Sequence, residues 1–582
     1  MRAALVTNLN AGNPPATRRS VWVVASCCVL WVGGPLHAQT YEQVAPKPVG
    51  EAPAPPRPAP PPLAPVNDDS SILIPKLTGL RLIPSVDRLS SEALPVGRTV
   101  VVEGLPWLAP AKVKTISAGF LSRPLTRGGL SRLTRLLVIL CRNSDHPVVD
   151  VYVPPQDVSS GVVQVVVLVA RLGEVRVQGN RWFSDNLLTR QVRMKPGQEI
   201  TGDTLLGDVA WLDQNPFRHV DLVYAKGQQP GETDAILRVT DARPVRVYAG
   251  YDDTGNQETG LGRVFAGFNL GNLWGEDNEF SYQYTRSTEA GQLEADSASY
   301  TLPLPWRNTV SVFGSWARAE STIGSLFGQT GITWQVGLRY TIPLPVLPGY
   351  TQSLEFGTDY KWINNNLAFG GTQVFSSPAN IAQGLVAYSG VKSDAQGSTR
   401  GSVSAYYSPG GIGGSNNDED FMVQRAGAMA NYAYIRASFS RLQRVFGDFT
   451  AALSALGQWS SARLLPIEQF GLGGEDSVRG YDDRVVNGDD GISAQLELRT
   501  PSRHLLDGIP DQTQALIFVD AGRDWQHDLQ SGGTENTLVS AGPGLRVQIG
   551  SHGTIKADYG WQLARLAGTS GGRIQLSAVL SF

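Results

Sequence analysis

Cysteine is nearly absent from this chain, with three in 582 residues. Two of them, Cys27 and Cys28, fall in the first forty residues, so the remainder keeps only Cys141 and has no internal disulfide. That thiol lies on an apolar helical stretch and reads as a core residue. Histidine is scarce too. His37, His146, His219, His504, His527 and His552 are scattered without ligand spacing, so no metal site is expected. Charged residues make up only 17% of the chain and the formal net charge is −3, which gives no reason to expect a nucleic-acid partner. After residue 40 no run reaches about 18 apolar residues, which argues against helical membrane spans. There is no nucleophile elbow and no catalytic dyad, so the chain is not read as an enzyme and no catalytic residue or cofactor is assigned.

What is present begins with a processing signal. Arg18-Arg19 precede "SVWVVASCCVLWVGG", and "LHA" ends at Ala38, the pattern of a basic region, a short apolar core and a small-residue cleavage site. Residues 1–38 are therefore read as a signal peptide, with a lipobox-like "VASC" ending at Cys27 as a rival. Residues 39–70 form a linker. Its "KPVGEAPAPPRPAPPPLAP" favours an extended chain and argues against a helix.

Two small α+β modules follow, at 71–170 and 171–244. In the first, "LTGLRLI" reads as a strand, "TRGGLSRLTRLLVILC" as a helix, and "VVDVYV" and "VVQVVVLVA" as β-branched strands. The second repeats the order with strand "EVRVQG", helix "TGDTLLGDVAWLDQN" and a hairpin of "HVDLVYAKG" and "DAILRVTDA".

From Val245 to Phe582 the pattern changes to strict alternation. In "RIQLSAVLSF", Ile574, Leu576, Ala578, Leu580 and Phe582 share one face, and Arg573, Gln575, Ser577 and Ser581 share the other. "TIKADYGWQL" opposes Lys556, Asp558 and Gln562 to an apolar, aromatic face in the same way. Such stretches are about ten residues long and number about sixteen, with short and long gaps tending to alternate, as in an outer-membrane barrel. In lipid every backbone N–H and C=O must be paired internally, so a closed sheet is the only β solution. The long gaps are read as external loops at 363–384, 409–427, 461–489 and 522–538. An even strand number puts both barrel ends in the periplasm with the two modules.

Several ordered motifs then resemble a known family. "VYVPPQDVSSGVVQVVV" followed by "LGEVRVQGN" is similar to the junction between two POTRA modules of two-partner secretion transporters, the ShlB/FhaC/HecB hemolysin secretion/activation family of the POTRA-barrel superfamily. "NPFRHVDLVYAKGQQPGETDAILRV" resembles the end of their second POTRA domain, "DDTGNQETG" the start of their barrel, and "SVRGY" and "FVDAG" their two barrel signatures. The chain also closes on Phe582, as such barrels do. The resemblance covers about 71–582. It implies a sixteen-stranded outer-membrane barrel fed by two periplasmic POTRA domains that bind a large secreted partner, unfolded in the periplasm, and export it. Outer-membrane lipid and the barrel-assembly machinery would be the other partners. Many members carry a pore-plugging helix after the signal peptide; the prolines of 41–66 argue against one here.

The candidate site lies in "EDSVRGYDD", within a gap of about 29 residues. In "QALIFVDAG", Asp520 is in phase with Phe518 and Leu516, while Ile517, Val519 and Ala521 form an apolar face suited to lipid. A carboxylate facing lipid would cost several kcal/mol, so Asp520 is expected to point into the lumen. If the loop folds inward, Arg479 can meet it as a charge-assisted pair, with Gly480 permitting a tight turn and Tyr481 packing on the wall. The resemblance implies this lock, carried by Val478, Arg479, Gly480, Tyr481, Phe518, Asp520 and Gly522. Other motifs are weaker. "NGDDG" at 487–491 lacks the spacing of a calcium loop and reads as a turn, and "GGIGGSNNDED" reads as an outer loop. In the modules, Val148–Val153 and His219–Ala225 are candidate strand edges for an extended partner.

The leading function is export of one large hemolysin- or adhesin-like protein. A barrel-assembly or insertion factor is the alternative, but such factors usually carry more POTRA domains. A passive porin would not carry paired modules, and a lipase fused to a barrel would need a serine motif that is absent.

Overall fold

The computed structural model describes residues 39–49, 62–63, 65, 68–92, 94–257, 259–289, 291–323, 327–347, 349–369, 372–505, 508–527, 534–566 and 571–582. The signal peptide read at 1–38 lies outside the described residues, as does most of the proline-rich stretch. The linker starts with a single helical turn, α1 (Tyr41–Val44).

The first module contains β1 (Ile72–Ile74), β2 (Gly79–Ile83), β3 (Val100–Val102), α2 (Pro110–Ser117), β4 (Leu125–Thr126), α3 (Arg127–Arg142), β5 (Val149–Tyr152) and β6 (Val162–Val169). Its main sheet has the order β3-β2-β6-β5. Helix α3 starts where the Thr126 hydroxyl accepts from Gly129 N at 3.0 Å, capping a free N–H of the first turn. Leu133, Leu137 and Cys141, four residues apart, then share the face that packs on the sheet.

The second module contains β7 (Arg171–Gln178), α4 (Asp185–Arg190), α5 (Gly202–Leu212), β8 (Arg218–Lys226) and β9 (Glu232–Asp241), with sheet order β7-β9-β8. Strands β5 and β8 are thus outer strands of their sheets, which places both candidate segments on an edge.

The barrel opens with β10 (Val245–Asp252), β11 (Arg263–Leu273), β12 (Asn278–Ser287), β13 (Leu293–Pro303), β14 (Thr309–Ile323), β15 (Phe327–Pro343), β16 (Tyr350–Phe369) and β17 (Thr372–Asp394). It continues with β18 (Gly397–Pro409), the short helix α6 (Asp418–Gln424), β19 (Asn431–Phe446) and β20 (Phe449–Ser460). The chain then leaves the wall for a small hairpin, β21 (Phe470–Leu472) and β22 (Val486–Gly488). It returns as β23 (Asp490–Arg499), β24 (Asp511–Trp525), β25 (Glu535–Ile549), β26 (Gly553–Gln562) and β27 (Gly572–Ser581). Sixteen strands close antiparallel, β10 pairing with β27 from Tyr248↔Ser581 to Asp252↔Ser577. Phe582 extends this seam by exchanging backbone hydrogen bonds with Val247, both at 2.9 Å.

Three details differ from the sequence reading. The stretch 363–384 is not a loop, because β16 and β17 run on as a paired ladder to Phe369↔Thr372. The gap 522–538 narrows likewise, with β24 and β25 paired as far as Trp525↔Glu535. The polar runs there satisfy a ladder outside the membrane as well as they would satisfy a loop. The third difference is the linker. Residues 39–49 do not hang free: they lie inside the lumen against β10–β15. The Tyr41 ring packs on Phe313 at 4.4 Å, and Val44 packs on Ala295 and Ala317. Tyr248 accepts from Lys47 N at 2.9 Å, and Arg246 donates to the Pro48 carbonyl at 3.0 Å. Proline begins only at Pro46, so Tyr41–Val44 is free to turn helically. Beyond it the wall supplies the hydrogen bonds that an extended proline-bearing chain cannot make for itself.

Burial pushes the Cys141 thiol up to about 12, so at neutral pH it is an unreactive packing group. A maleimide is expected to label Cys141 only in denaturant; rapid labelling of the native protein would contradict this core.

A guanidinium locked between three carboxylates

The long gap between β20 and β23 folds back into the lumen. Hairpin β21–β22 brings Phe470 and Leu472 against Val478, Tyr481 and Leu538, a small apolar cluster inside the barrel. Arg479 projects from it toward β24 and is 1% exposed. Its Nε donates to Asp520 Oδ2 at 2.8 Å and its Nη2 to Asp520 Oδ1 at 2.9 Å, a bidentate fork. The Arg479 backbone N–H adds a third bond to Asp520 at 3.1 Å. The guanidinium lies 3.7 Å over the Phe518 ring, a cation–π contact made possible because Phe518 and Asp520 share one strand face. The neighbours in the other phase, Ile517 and Val519, are 62% and 52% exposed on the lipid face.

Asp520 is not the sole counter-charge. Arg479 Nη1 also meets Glu497 at 2.5 Å and Asp558 at 3.4 Å. Arg546 donates to both Asp558 oxygens at 2.7 and 2.8 Å, and Arg499 donates to Glu497 at 2.7 Å. Three arginines therefore balance three carboxylates on β23–β26 and the loop. Sequence reading placed Asp558 on a polar strand face but missed Glu497, Arg499 and Arg546. Their signal was a charged side chain on the lumen-facing phase; their common height appears only when the strands are in register.

The remaining motif residues fix the loop's approach. Gly480 has φ +87°, and a Cβ there would lie 2.6 Å from the Gly560 carbonyl oxygen. Loop and wall thus meet backbone to backbone at two glycines. Gln562 donates to the Gly480 carbonyl at 2.7 Å, and Gln575 accepts from Gly480 N at 3.3 Å. The Tyr481 hydroxyl donates to the carbonyls of Val539, at 3.0 Å, and Ala564. Gly522 leaves room for the Leu472 side chain. Phe582 lies apart from this cluster, at the barrel seam.

The weaker motifs also find places. Asp489 of "NGDDG" accepts a fork from Arg425, backbone bonds from Leu464 and His527 at 2.9 Å each, and is fully buried. Its oxygens are used in joining three external loops. In the glycine-rich outer loop, α6 turns inward and buries Phe421 among Ile363, Ile381, Tyr432 and Leu465.

Removing one partner of a buried ion pair costs about 3–5 kcal/mol, and a Cβ at Gly480 adds clash to an unfavourable φ. Gly480→Ala and Gly560→Ala are each expected to lift the loop tip and raise ion conductance in planar bilayers. Wild-type conductance from both would contradict the contact.

Comparison with known proteins agrees with this architecture. The family model for haemolysin secretion/activation protein ShlB/FhaC/HecB matches residues 231–547, and that for the ShlB-type POTRA domain matches 97–169. Hemolysin transporter protein ShlB of Serratia marcescens is 25% identical over 489 residues, covering 82% of this chain and 84% of its own. Outer membrane transporter CdiB of Escherichia coli is 25% identical over 471 residues, covering 78% and 76%. The heme/hemopexin transporter protein HuxB of Haemophilus influenzae is 22% identical over 394 residues, covering 66% and 68%. Among solved structures, CdiB from Escherichia coli superposes with a TM-score of 0.74 at 20% identity, covering 90% of this chain and 94% of that one. With a family model spanning more than half its length, the chain belongs to the ShlB/FhaC/HecB family of haemolysin secretion/activation proteins.

Proposed function

We propose that this protein is the outer-membrane half of a two-partner secretion system. It takes one large exported protein, unfolded in the periplasm, and passes it through the barrel to the cell surface. The observation that carries this reading is a pore filled by two segments of its own chain, each held by polar contacts that can be exchanged. The loop tip at Arg479 and residues 39–49 are each anchored by hydrogen bonds and, at Arg479, ion pairs, with small apolar clusters beside them. A passive pore has no use for such removable fillings.

Two POTRA modules, at about 71–170 and 171–244, stand at the periplasmic end to receive the partner. Outer strand β5 lies beside α3, whose Leu136 and Ile139 are exposed, and Tyr152 is exposed on β5 itself. An unpaired strand edge next to apolar side chains suits an extended polypeptide, which would add as another strand. The relatives carry hemolysin, heme/hemopexin and other transporter names, and a hemolysin- or adhesin-like exoprotein is the cargo class proposed here. Outer-membrane lipid surrounds the barrel, and the barrel-assembly machinery is proposed to insert it. A role in assembling other barrels is the alternative.

The test is secretion of a large, repeat-rich exported protein encoded alongside this gene, co-expressed with wild type or Arg479→Ala. Cargo is expected in the medium with wild type, and at least tenfold less with the variant at equal barrel abundance. Cargo held in the periplasm even with wild type would favour the assembly reading.

A further inference from the structure

Tryptophan favours a membrane–water boundary, where one part of its ring meets hydrocarbon and its N–H meets the polar side. Two successive periplasmic turns each present one. In the β11–β12 turn, Trp274 is exposed and its ring lies 6.4 Å from that of Tyr300. Tyr300 is out of phase with Ala295 and Ser297, which touch Val44 in the lumen, so it faces lipid. In the β13–β14 turn, Trp306 is exposed and donates through Nε1 to the Tyr340 hydroxyl at 3.1 Å. Tyr340 shares a strand face with the exposed Val336 and Leu338, again toward lipid. The inner-leaflet boundary therefore passes along these two turns. Trp274 is held there at φ +58°, a backbone conformation that a bulky residue keeps only where the surroundings over-determine it.

The second module is fixed to the same two turns. Arg218 donates to Asp277 of the first turn through Nη1 at 2.6 Å and Nη2 at 2.7 Å, a weld in which both residues are buried. Asn215 donates to the same carboxylate at 2.8 Å. Arg307 of the second turn reaches into the module, donating to Asp208 at 2.5 Å and to the Gly207 carbonyl at 2.9 Å. This pose sets the β7–α4 loop, residues 179–184, at the height of the boundary. Asn272, two residues before Trp274, donates to the Trp182 carbonyl at 3.3 Å.

That loop is stiff. The backbone N–H groups of Arg181, Trp182 and Phe183 all converge on the Asp241 carboxylate, at distances between 2.7 and 3.1 Å. Phe183 turns inward and is buried, while Arg181 and Trp182 turn out and are both exposed. The Arg181 guanidinium lies 5.2 Å over the Trp182 ring. Arg243, two residues beyond Asp241 and two before the first barrel strand, is exposed as well. Among the described residues neither guanidinium meets a carboxylate. A rigid loop that holds an apolar ring and uncompensated positive charge outward suits a boundary where the ring meets lipid and the guanidinium meets phosphate.

We propose that Arg181 and Trp182, with Arg243 beside them, form a docking site for phospholipid headgroups of the inner leaflet, so that the second module rests on the membrane as well as on the barrel. The occupant is phospholipid because the site continues the boundary drawn by Trp274 and Trp306 and offers positive charge to the headgroup phosphate. Lipid contact then becomes a third support for the module's tilt, beside the welds at Asp277 and Arg307.

The test uses the full chain in nanodiscs of phosphatidylethanolamine and phosphatidylglycerol. A nitroxide on Arg181→Cys is compared with one on Lys226→Cys, at the end of β8 away from Arg218, while Cys141 stays unlabelled in the core. At 181 the label is expected to collide with oxygen about threefold more often, and with a water-soluble nickel chelate about threefold less often, than at 226. Equal, water-like collision at both sites would overturn the proposal. A second measurement reads the consequence. Nitroxides on Lys226→Cys and on Asp448→Cys, in the β19–β20 turn, report the module's tilt against the barrel. Arg181→Glu/Trp182→Ala leaves the Arg218–Asp277 weld in place and is expected to broaden that distance distribution about twofold in the same nanodiscs. An unchanged width would show that protein contacts alone set the pose and would contradict the docking role.

Discussion

A guanidinium withdrawn from water must be matched by nearby negative charge or it will not stay. Arg479 satisfies that demand with Asp520, Glu497 and Asp558, which come from three different strands. Much of the barrel's interior follows from this one requirement. Strand register must bring the three carboxylates to one height, and Arg546 and Arg499 must neutralise the surplus. Gly480 and Gly560 must lack side chains so that the loop can come close enough for the fork to form. The loop tip thus needs little apolar core of its own, its position being set electrostatically, while the earlier part of the loop is buried through Ala462, Leu464, Leu465 and Ile467.

The same economy governs the rest of the lumen. Residues 39–49 hold their place by hydrogen bonds to Tyr248, Arg246, Gln283 and Ser297 rather than by a deep hydrophobic contact. At the external mouth, Asp489 gathers Arg425, Leu464 and His527 at a single carboxylate. Below, Asp277 does for the second POTRA domain what Asp520 does for the loop. A buried carboxylate meeting a forked arginine recurs at the inner lock, the outer mouth and the periplasmic rim. Between these fixed points lies the β16–β20 sector, whose periplasmic half carries small side chains such as Ser389, Ser402, Ser438 and Ser454. Export on this account replaces one set of polar contacts with another, which suits a compartment without nucleotide hydrolysis.

The barrel was legible in the sequence because its rule is local: period-two alternation with Ile517 and Val519 outward and Phe518 and Asp520 inward needs no knowledge of neighbours. In the modules the helix Arg127–Arg142 and strands such as β6 and β8 were legible from their own periodicity, whereas β3 and the short helices α2 and α4 were not read. What escaped depends on contacts distant in sequence. Glu497 and Arg546 are separated by a strand and meet only through register. The Asp277–Arg218 weld joins residues from different domains, and nothing in "NPFR" says which surface it meets. The prolines of the linker argued against a helix, yet Tyr41–Val44, ahead of the first of them, makes one helical turn inside the lumen. The ends of β16 and β17 were misplaced because polar residues outside the membrane serve a ladder and a loop equally well.

The most direct measurement is hydrogen–deuterium exchange across residues 470–488 in wild type, Arg479→Gln, Asp520→Asn and the double variant. If the two side chains act as one lock, either single change raises exchange strongly and the double adds little, the non-additivity of a shared interaction. Wild-type exchange in either single variant, or two independent additive effects, would contradict the claim that this pair holds the loop in the pore.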